Sequence, residues 1–101
     1  MASDQKLQSK LEELLGSRNV YFQPPESVKM NYPAIVYSRK AIDLKFANNA
    51  IYSKMNCYEI IVIDRKPFNE VIDKLFELPY CTFERSYKAD NLNHDVLTLY
   101  F

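Results

Sequence analysis

Three side chains in this sequence could take part in nucleophilic catalysis: Cys57, Cys81 and the single histidine, His94. Asp95 follows the histidine, and a carboxylate beside an imidazole can orient it as a general base that activates a thiol. The spacing of these residues matches no catalytic signature, and a thiol in a strand between apolar residues usually packs in a core. We therefore expect no enzyme, and we expect the imidazole of His94 to bond carbonyl groups of a turn at residues 91–95.

Neither a metal site nor a phosphate-binding loop is predicted. Zinc sites need three or four ligands at suitable spacing, and the sequence contains no C-x-x-C or H-x-x-x-H pair. Loops that cradle phosphates, and dinucleotide-binding folds, need several glycines. This chain has one, Gly16, so we expect no cofactor.

Length and composition predict one globular domain that covers residues 1–101. Thirteen basic residues balance thirteen acidic ones, so the basic excess of a nucleic-acid-binding protein is missing. Arg39, Lys40 and Lys45 could form a local basic strip, although Asp43 lies among them. No apolar run approaches the roughly 20 residues that span a bilayer, and the N-terminal residues lack the apolar core of a secretion signal. We therefore expect neither membrane insertion nor secretion. Both cysteines are expected to be reduced.

The strongest strand signal is the run YEIIVID at residues 58–64. Its four consecutive apolar residues predict a strand that is covered on both faces near its end. A helix should follow directly, because Pro67 favours a first helical turn and Pro79 ends the segment. Between the two prolines, apolar residues recur at helical spacing: Phe68, Val71, Ile72, Leu75 and Phe76.

The remaining segments complete an α+β domain. Leucines at helical spacing predict a first helix over residues 3–15, which Gly16 ends. Residues 47–56 read as a polar turn region with Asn48–Asn49 at the tip of a hairpin. Strands are predicted at residues 19–22, 34–46, 56–64, 82–88 and 95–101, with a loop at residues 23–33, a bulge or bend at residues 38–40 and a connection at residues 89–94. The order is α-β-β-β-α-β-β, and we expect a mostly antiparallel sheet of about five strands with both helices on one face.

The aromatic content predicts a contact surface. Eight tyrosines and six phenylalanines are many for this length, and tyrosine is enriched at protein interfaces. Helices on one face leave the other face of the sheet for a neighbour, and we expect Tyr37, Tyr58 and Tyr100 to lie there. Ile51 and Tyr52, apolar residues in the polar turn region, are further candidate contacts. The alternative is that these tyrosines close a small core.

Several segments resemble a small protein of tailed phages and prophages, the tail terminator or tail-completion protein of the head–tail joining region. The resemblance covers the chain from about residue 14 onward and contains no catalytic signature. The segments that carry it are YEIIVIDR at residues 58–65, ELP at 77–79, ADNLNHDV at 89–96, VYFQPP at 20–25 and YP at 32–33.

This resemblance implies a structural assembly protein. Such proteins form rings of identical copies, commonly hexamers, that cap the tail tube and join it to the head. The implied partners are further copies of the chain, the tail tube protein and a head-completion or connector protein, with DNA only passing through the lumen. The implied location is the virion neck or tail, and the host cytoplasm during assembly. The alternative is a small cytoplasmic dimeric module that binds a protein or peptide at a sheet edge or face.

Overall fold

A computed structural model describes residues 2–47 and 50–101 of the chain, with side chains for residues 5–40 and 56–101. The predicted order α-β-β-β-α-β-β is confirmed. The elements are α1 (Ala2–Leu15), β1 (Val20–Phe22), β2 (Ala34–Ala47), β3 (Ala50–Asp64), α2 (Val71–Leu75), β4 (Cys81–Ala89) and β5 (Leu92–Tyr100).

The strands form a five-stranded sheet in the order β1-β2-β3-β5-β4. β1 pairs with β2 in parallel, and the other neighbours are antiparallel. The predicted bulge in β2 is also confirmed, because the register shifts between Arg39 and Ala41 and leaves Lys40 as the extra residue. The sheet is therefore mixed but mostly antiparallel, as the sequence predicted.

The hydrophobic core lies between the sheet and both helices, so the two helices cover the same face. We call this side of the sheet the helix face and the opposite side the open face. Fully burying one large apolar side chain stabilises the fold by about 1.5–3 kcal/mol, so this one-sided core is the main source of stability. Its buried residues are Leu7, Leu11, Val20, Ile35, Tyr37, Tyr58, Ile60, Val62, Val71, Ile72, Leu75, Leu97 and Leu99.

Helix α1 is held by its leucines and by hydrogen bonds of Gln8 to the sheet. Leu7 and Leu11 are fully buried, and the side-chain carbonyl of Gln8 accepts a hydrogen bond from the hydroxyl of Tyr37 at 2.7 Å. Gly16 then ends the helix in the left-handed region, with φ 77° and its N–H bonded to the carbonyl of Glu12 at 2.9 Å. The predicted helix and its glycine stop are both confirmed.

A chain of side-chain hydrogen bonds sets the start of α2. The buried carboxylate of Asp64, at the end of β3, accepts a bond of 2.6 Å from the amide nitrogen of Asn69. The amide oxygen of Asn69 in turn accepts the backbone N–H of Val71 at 2.8 Å. An asparagine that binds the chain two residues ahead favours a turn, so the helix begins at Val71.

The predicted helical stripe from Phe68 to Phe76 is therefore wrong at both ends. Val71, Ile72 and Leu75 are buried as expected, but Phe68 is 63% exposed and Phe76 45% exposed. Pro67 lies in the turn before the helix and not in its first turn. At the N-terminal end the cause is the Asn69 turn, which takes up the residues before Val71; at the C-terminal end the helix stops at Leu75.

The hairpin between β2 and β3 is longer than the sequence indicated. Residues 50–56 were predicted as part of a polar turn, but β3 begins at Ala50, and Ala47 pairs with Ala50. Asn48 and Asn49 lie outside the described residues. The pairing with β2 holds this polar segment extended, because a backbone ladder does not depend on apolar side chains. β5 pairs with β3 only from Cys57 onward, so the hairpin continues beyond the sheet as a two-stranded ribbon.

The last two strands are joined by a tight turn. Asp90 and Asn91 both have positive φ, 54° and 61°, which is typical of a two-residue hairpin turn that these residue types tolerate. β5 therefore begins at Leu92, and the predicted connection over residues 89–94 is too long. His94 consequently lies within a strand.

The corrected boundary of α2 can be tested with two neighbouring substitutions. Leu75→Ala should lower the free energy of unfolding by about 2–5 kcal/mol, because it opens a cavity in the core. Phe76→Ala should cost about 1 kcal/mol or less, because much of its ring is already in water. Urea denaturation of both variants measures the difference. Equal losses would contradict the boundary.

Candidate interaction surface

The centre of the open face is a row of residues that runs across all five strands. Paired residues on neighbouring strands point to the same side of a sheet, and the pairing joins Tyr21, Val36, Ile61, Val96 and Arg85 in one row. Val96 is buried, Val36 and Ile61 are half-buried, and Arg85 is exposed. The row therefore has an apolar middle between a tyrosine at one edge and an arginine at the other.

A stacked pair of rings lies beside this row, near the turn between β4 and β5. The imidazole of His94 stacks on the ring of Tyr87, with centroids 4.6 Å apart and planes at 10°. The Nδ1 atom of His94 lies 3.1 Å from the carbonyl oxygen of Leu92, which can only accept, so Nδ1 donates. The imidazole thus bonds a carbonyl within residues 91–95, as expected, but that carbonyl belongs to the first residue of β5 and not to a turn. The guanidinium of Arg85 lies 5.8 Å from the centre of the Tyr87 ring.

A polar network crosses the open face on the other side of the central row. The carboxylate of Glu84 accepts a hydrogen bond from the hydroxyl of Thr98 and lies 3.4 Å from Nζ of Lys40 and 3.8 Å from Arg85. The Thr98 hydrogen bond lowers the pKa of Glu84, and Lys40 and Arg85 lower it further. This side of the face is thus polar, with Lys40 paired to a carboxylate.

Large apolar side chains that are exposed in the described part of the chain are all aromatic. They are Phe22, Phe68, Phe76, Tyr80, Phe83, Tyr87 and Phe101. Exposed aromatic residues are enriched where proteins bind one another. Most of these rings belong to the segment from the start of α2 through β4, so the β4 side of the molecule is the aromatic one.

Tyr80 is exposed at the cost of backbone strain. Its φ is 61°, a left-handed conformation that costs a residue with a side chain about 1–2 kcal/mol, yet 66% of the residue is exposed. The ring therefore contributes little packing in exchange. Strained residues that are retained without a packing reason are candidates for a function in binding.

The predicted interface tyrosines fall in different places. Tyr37 and Tyr58 are 2% and 0% exposed and lie in the core, with ring centroids 6.0 Å apart, so their predicted position on the open face is wrong. The cause is the register of β2 and β3, which sets both side chains on the helix face. Tyr100 pairs with Cys57 and is half-buried at the margin of the open face. For Ile51 and Tyr52 the structure gives the strand position in β3 but no side chain.

The candidate catalytic residues do not come together. His94 pairs with Ile63, and Cys57 lies six residues along the same strand, which is about 20 Å at the rise of a strand. Cys81 pairs with Leu99, which lies on the helix face, and burial raises the pKa of its thiol. His94 therefore cannot activate either thiol. Within residues 2–47 and 50–101, no three His, Cys, Asp or Glu side chains cluster as a metal site.

Asp95 does not orient His94 either, because consecutive strand residues point to opposite faces. Asp95 pairs with Val62 on the helix face, whereas His94 pairs with Ile63 on the open face. Burial raises the pKa of the Asp95 carboxyl, and the nearby His94 lowers it by less. The ionised form of this carboxyl therefore lowers the stability of the folded protein.

No protein-family model matches this chain, and no curated protein matches it. Neither described helix is long and apolar enough to cross a lipid bilayer.

Sequence reasoning missed Glu84 and Arg85. Simple alternation over the predicted strand 82–88 would place Glu84 and Arg85 on opposite faces. The register shift between Phe83 and Arg85 places both on the open face. No local sequence signal marks this bulge.

The strain at Tyr80 predicts an unusual response to glycine. Tyr80→Gly should leave the free energy of unfolding unchanged or raise it by up to about 1 kcal/mol, because glycine adopts positive φ without steric cost. Phe83→Gly is the matched control: this ring is 46% exposed in a strand, and we expect a loss of about 1 kcal/mol. Chemical denaturation measures both variants. A larger loss of unfolding free energy for Tyr80→Gly than for Phe83→Gly would contradict the backbone strain assigned to Tyr80.

The raised pKa of Asp95 predicts a pH-dependent gain of stability on its removal. A carboxyl with a folded-state pKa above its unfolded value of about 3.9 makes the protein less stable as the pH rises through that window. Asp95→Asn should thus be more stable than the parent at neutral pH, and the difference should shrink below the unfolded pKa. Urea denaturation at both pH values tests this, with Asp90→Asn as control, since asparagine tolerates positive φ equally well. A destabilised Asp95→Asn at neutral pH would be the opposite result.

Proposed function

We propose that this chain is a phage assembly protein, a tail terminator or tail-completion subunit that caps the tail tube and helps to join tail to head. In this role, copies of the chain form a ring, commonly of six, that contacts the tube protein on one side and a head-completion or connector protein on the other. DNA passes through the lumen without specific contacts. The protein then resides in the virion neck or tail, after assembly in the host cytoplasm.

The observation that carries the proposal is the one-sided sheet. Both helices pack on one face, and among the described residues the open face carries a central apolar row with Val36 and Ile61 only half-buried. A ring subunit needs several surfaces that become buried only when neighbouring proteins bind. An open sheet face provides one such surface.

Two further features support this reading. The exposed aromatic side chains on the β4 side suit contact with a second protein. The ribbon that continues β2 and β3 beyond the sheet is the second feature. An isolated two-stranded hairpin is marginally stable in water, so contact with a neighbouring protein would stabilise this ribbon. The segments that resemble tail terminators lie mainly in β1, β3 and the β4–β5 hairpin, which are parts of the sheet itself.

A dimeric module that binds a protein or peptide is the second candidate. The observation that favours it is β4, an edge strand of nine residues that is exposed from Thr82 onward. Extended peptides bind such edges by adding a strand.

Deletion of the gene from the genome that encodes it tests the assembly function. Electron microscopy of the resulting particles should show overlong tails, or tails without heads, beside filled heads, because nothing ends tube growth or completes the joint. Normal virions in normal numbers would contradict the proposal.

A point variant tests whether the open face is the surface used. Val36→Arg should keep the circular dichroism spectrum of the parent but lose binding to purified tail tubes and fail to complement the deletion, because it places a charge in the apolar row. Gln5→Arg adds the same charge on exposed α1 and should complement. Full complementation by Val36→Arg would exclude the open face from the contact.

A further inference from the structure

β4 presents an exposed backbone edge of nine residues at one side of the described sheet. It ends the strand order beside β5, so its outer N–H and C=O groups have no strand partner in the part of the chain that the structure describes. Every residue after Cys81 in this nine-residue strand is exposed. The opposite edge strand, β1, has three residues. A long exposed edge is a template for pairing with another strand.

The bulge makes the two halves of β4 mirror each other. Glu84 is the extra residue of the register shift; it bonds Thr98 on the open face, and Arg85 pairs with Val96 on the same face. The centre of the strand therefore carries two neighbouring residues of opposite charge on one side. Outward from this centre the residues alternate in matched steps: Phe83 with Ser86 on the helix face, Thr82 with Tyr87 on the open face, and Cys81 with Lys88 on the helix face.

We propose that β4 pairs antiparallel with β4 of a second copy of this chain, about a two-fold axis between Glu84 and Arg85. A two-fold contact uses the same surface on both copies. In this register, Glu84 of each copy lies opposite Arg85 of the other, so two pairs of opposite charge form side by side. Opposite charges that face each other across strands are stabilising.

Neighbouring registers are disfavoured. A register centred on Glu84 or on Arg85 sets like charges opposite each other and places open-face residues against helix-face residues. Like charges directly opposite are destabilising, and residues that face each other across a regular antiparallel ladder point to the same face. Bulges and charged side chains commonly prevent an edge strand from pairing with other chains. In β4 they disfavour the neighbouring registers and leave this one register favourable.

The aromatic residues of β4 support the same pairing independently of charge. Phe83 is 46% exposed on the helix face, and Tyr87 is 42% exposed on the open face. In the proposed register they face Ser86 and Thr82 of the second copy, whose strand would shield part of each ring. Both faces of the strand thus gain cover from one contact.

This inference goes beyond the assembly function and needs only β4. Copies in a tail-capping ring all point the same way, so a two-fold contact cannot join neighbours in it. β4 pairing instead defines a dimer of the free protein, which must open when a ring forms. A normal-virion result in the deletion experiment would contradict the assembly function and leave this pairing standing.

Light scattering after size exclusion, over a wide range of protein concentration, tests the pairing. The parent should approach twice the 11.9 kDa of one chain at high concentration. Arg85→Glu should weaken the dimer about tenfold or more, because it sets two glutamates opposite each other twice. The double variant Glu84→Arg with Arg85→Glu should recover the dimer, because the opposite charges are exchanged. Lys88→Glu, whose partner in this register is the uncharged Cys81, should dimerise like the parent.

A parent that is monomeric at every concentration would overturn the proposal, as would an unchanged dimer in Arg85→Glu. Hydrogen exchange of the parent provides a test that does not depend on how the variants fold. Backbone amides of β4 should become more protected as the protein concentration rises, while those of β1 should not change. Protection of β4 that is independent of concentration would also overturn it.

Discussion

The packing of α1 and α2 against a single face of the sheet is the constraint on which the rest of the structure depends. Tyr58 and Ile60 of β3 and Leu97 of β5 lie fully buried at its centre. The hydroxyl of Tyr37 binds the side chain of Gln8 on α1, so the sheet is joined to the helix by a polar contact as well as by apolar area. A chain of 101 residues has material for one such core and no more. Neither described helix packs on the second face of the sheet.

The open face compensates for this within the sheet itself. Val96 is fully buried, and the Tyr87–His94 stack and the Glu84 network flank the central row. What remains accessible is a narrow apolar row with aromatic and charged groups around it. That composition resembles a protein interface, with an apolar centre and a polar rim, more than a pocket for a small molecule. The proposed assembly role uses the open face of the sheet as a contact surface. The proposed pairing uses the exposed edge of β4.

Much of the fold could be predicted because periodicity is a local property. The leucines of α1 recur every three or four residues, and the run at residues 58–64 is too apolar to be a loop, so the type and order of the elements followed from the sequence. Gly16 ended α1 as expected because few other residues adopt its positive φ. The bulge near Lys40 could be located because three polar residues interrupt an apolar alternation.

The sequence by itself determined the class of the domain, the order of its elements and the one-sided placement of its helices. Only the tertiary structure decided which face each tyrosine occupies, because a register change of one residue moves a side chain to the other face. Tyr37 and Tyr58 consequently lie in the core and not on the surface. Strand pairing also places His94 about 20 Å along the sheet from Cys57 and on the opposite face from Cys81, and it brings Glu84 and Arg85 to the same face. These relations depend on strand pairing between residues that are distant in the chain. A local sequence pattern does not predict such pairing.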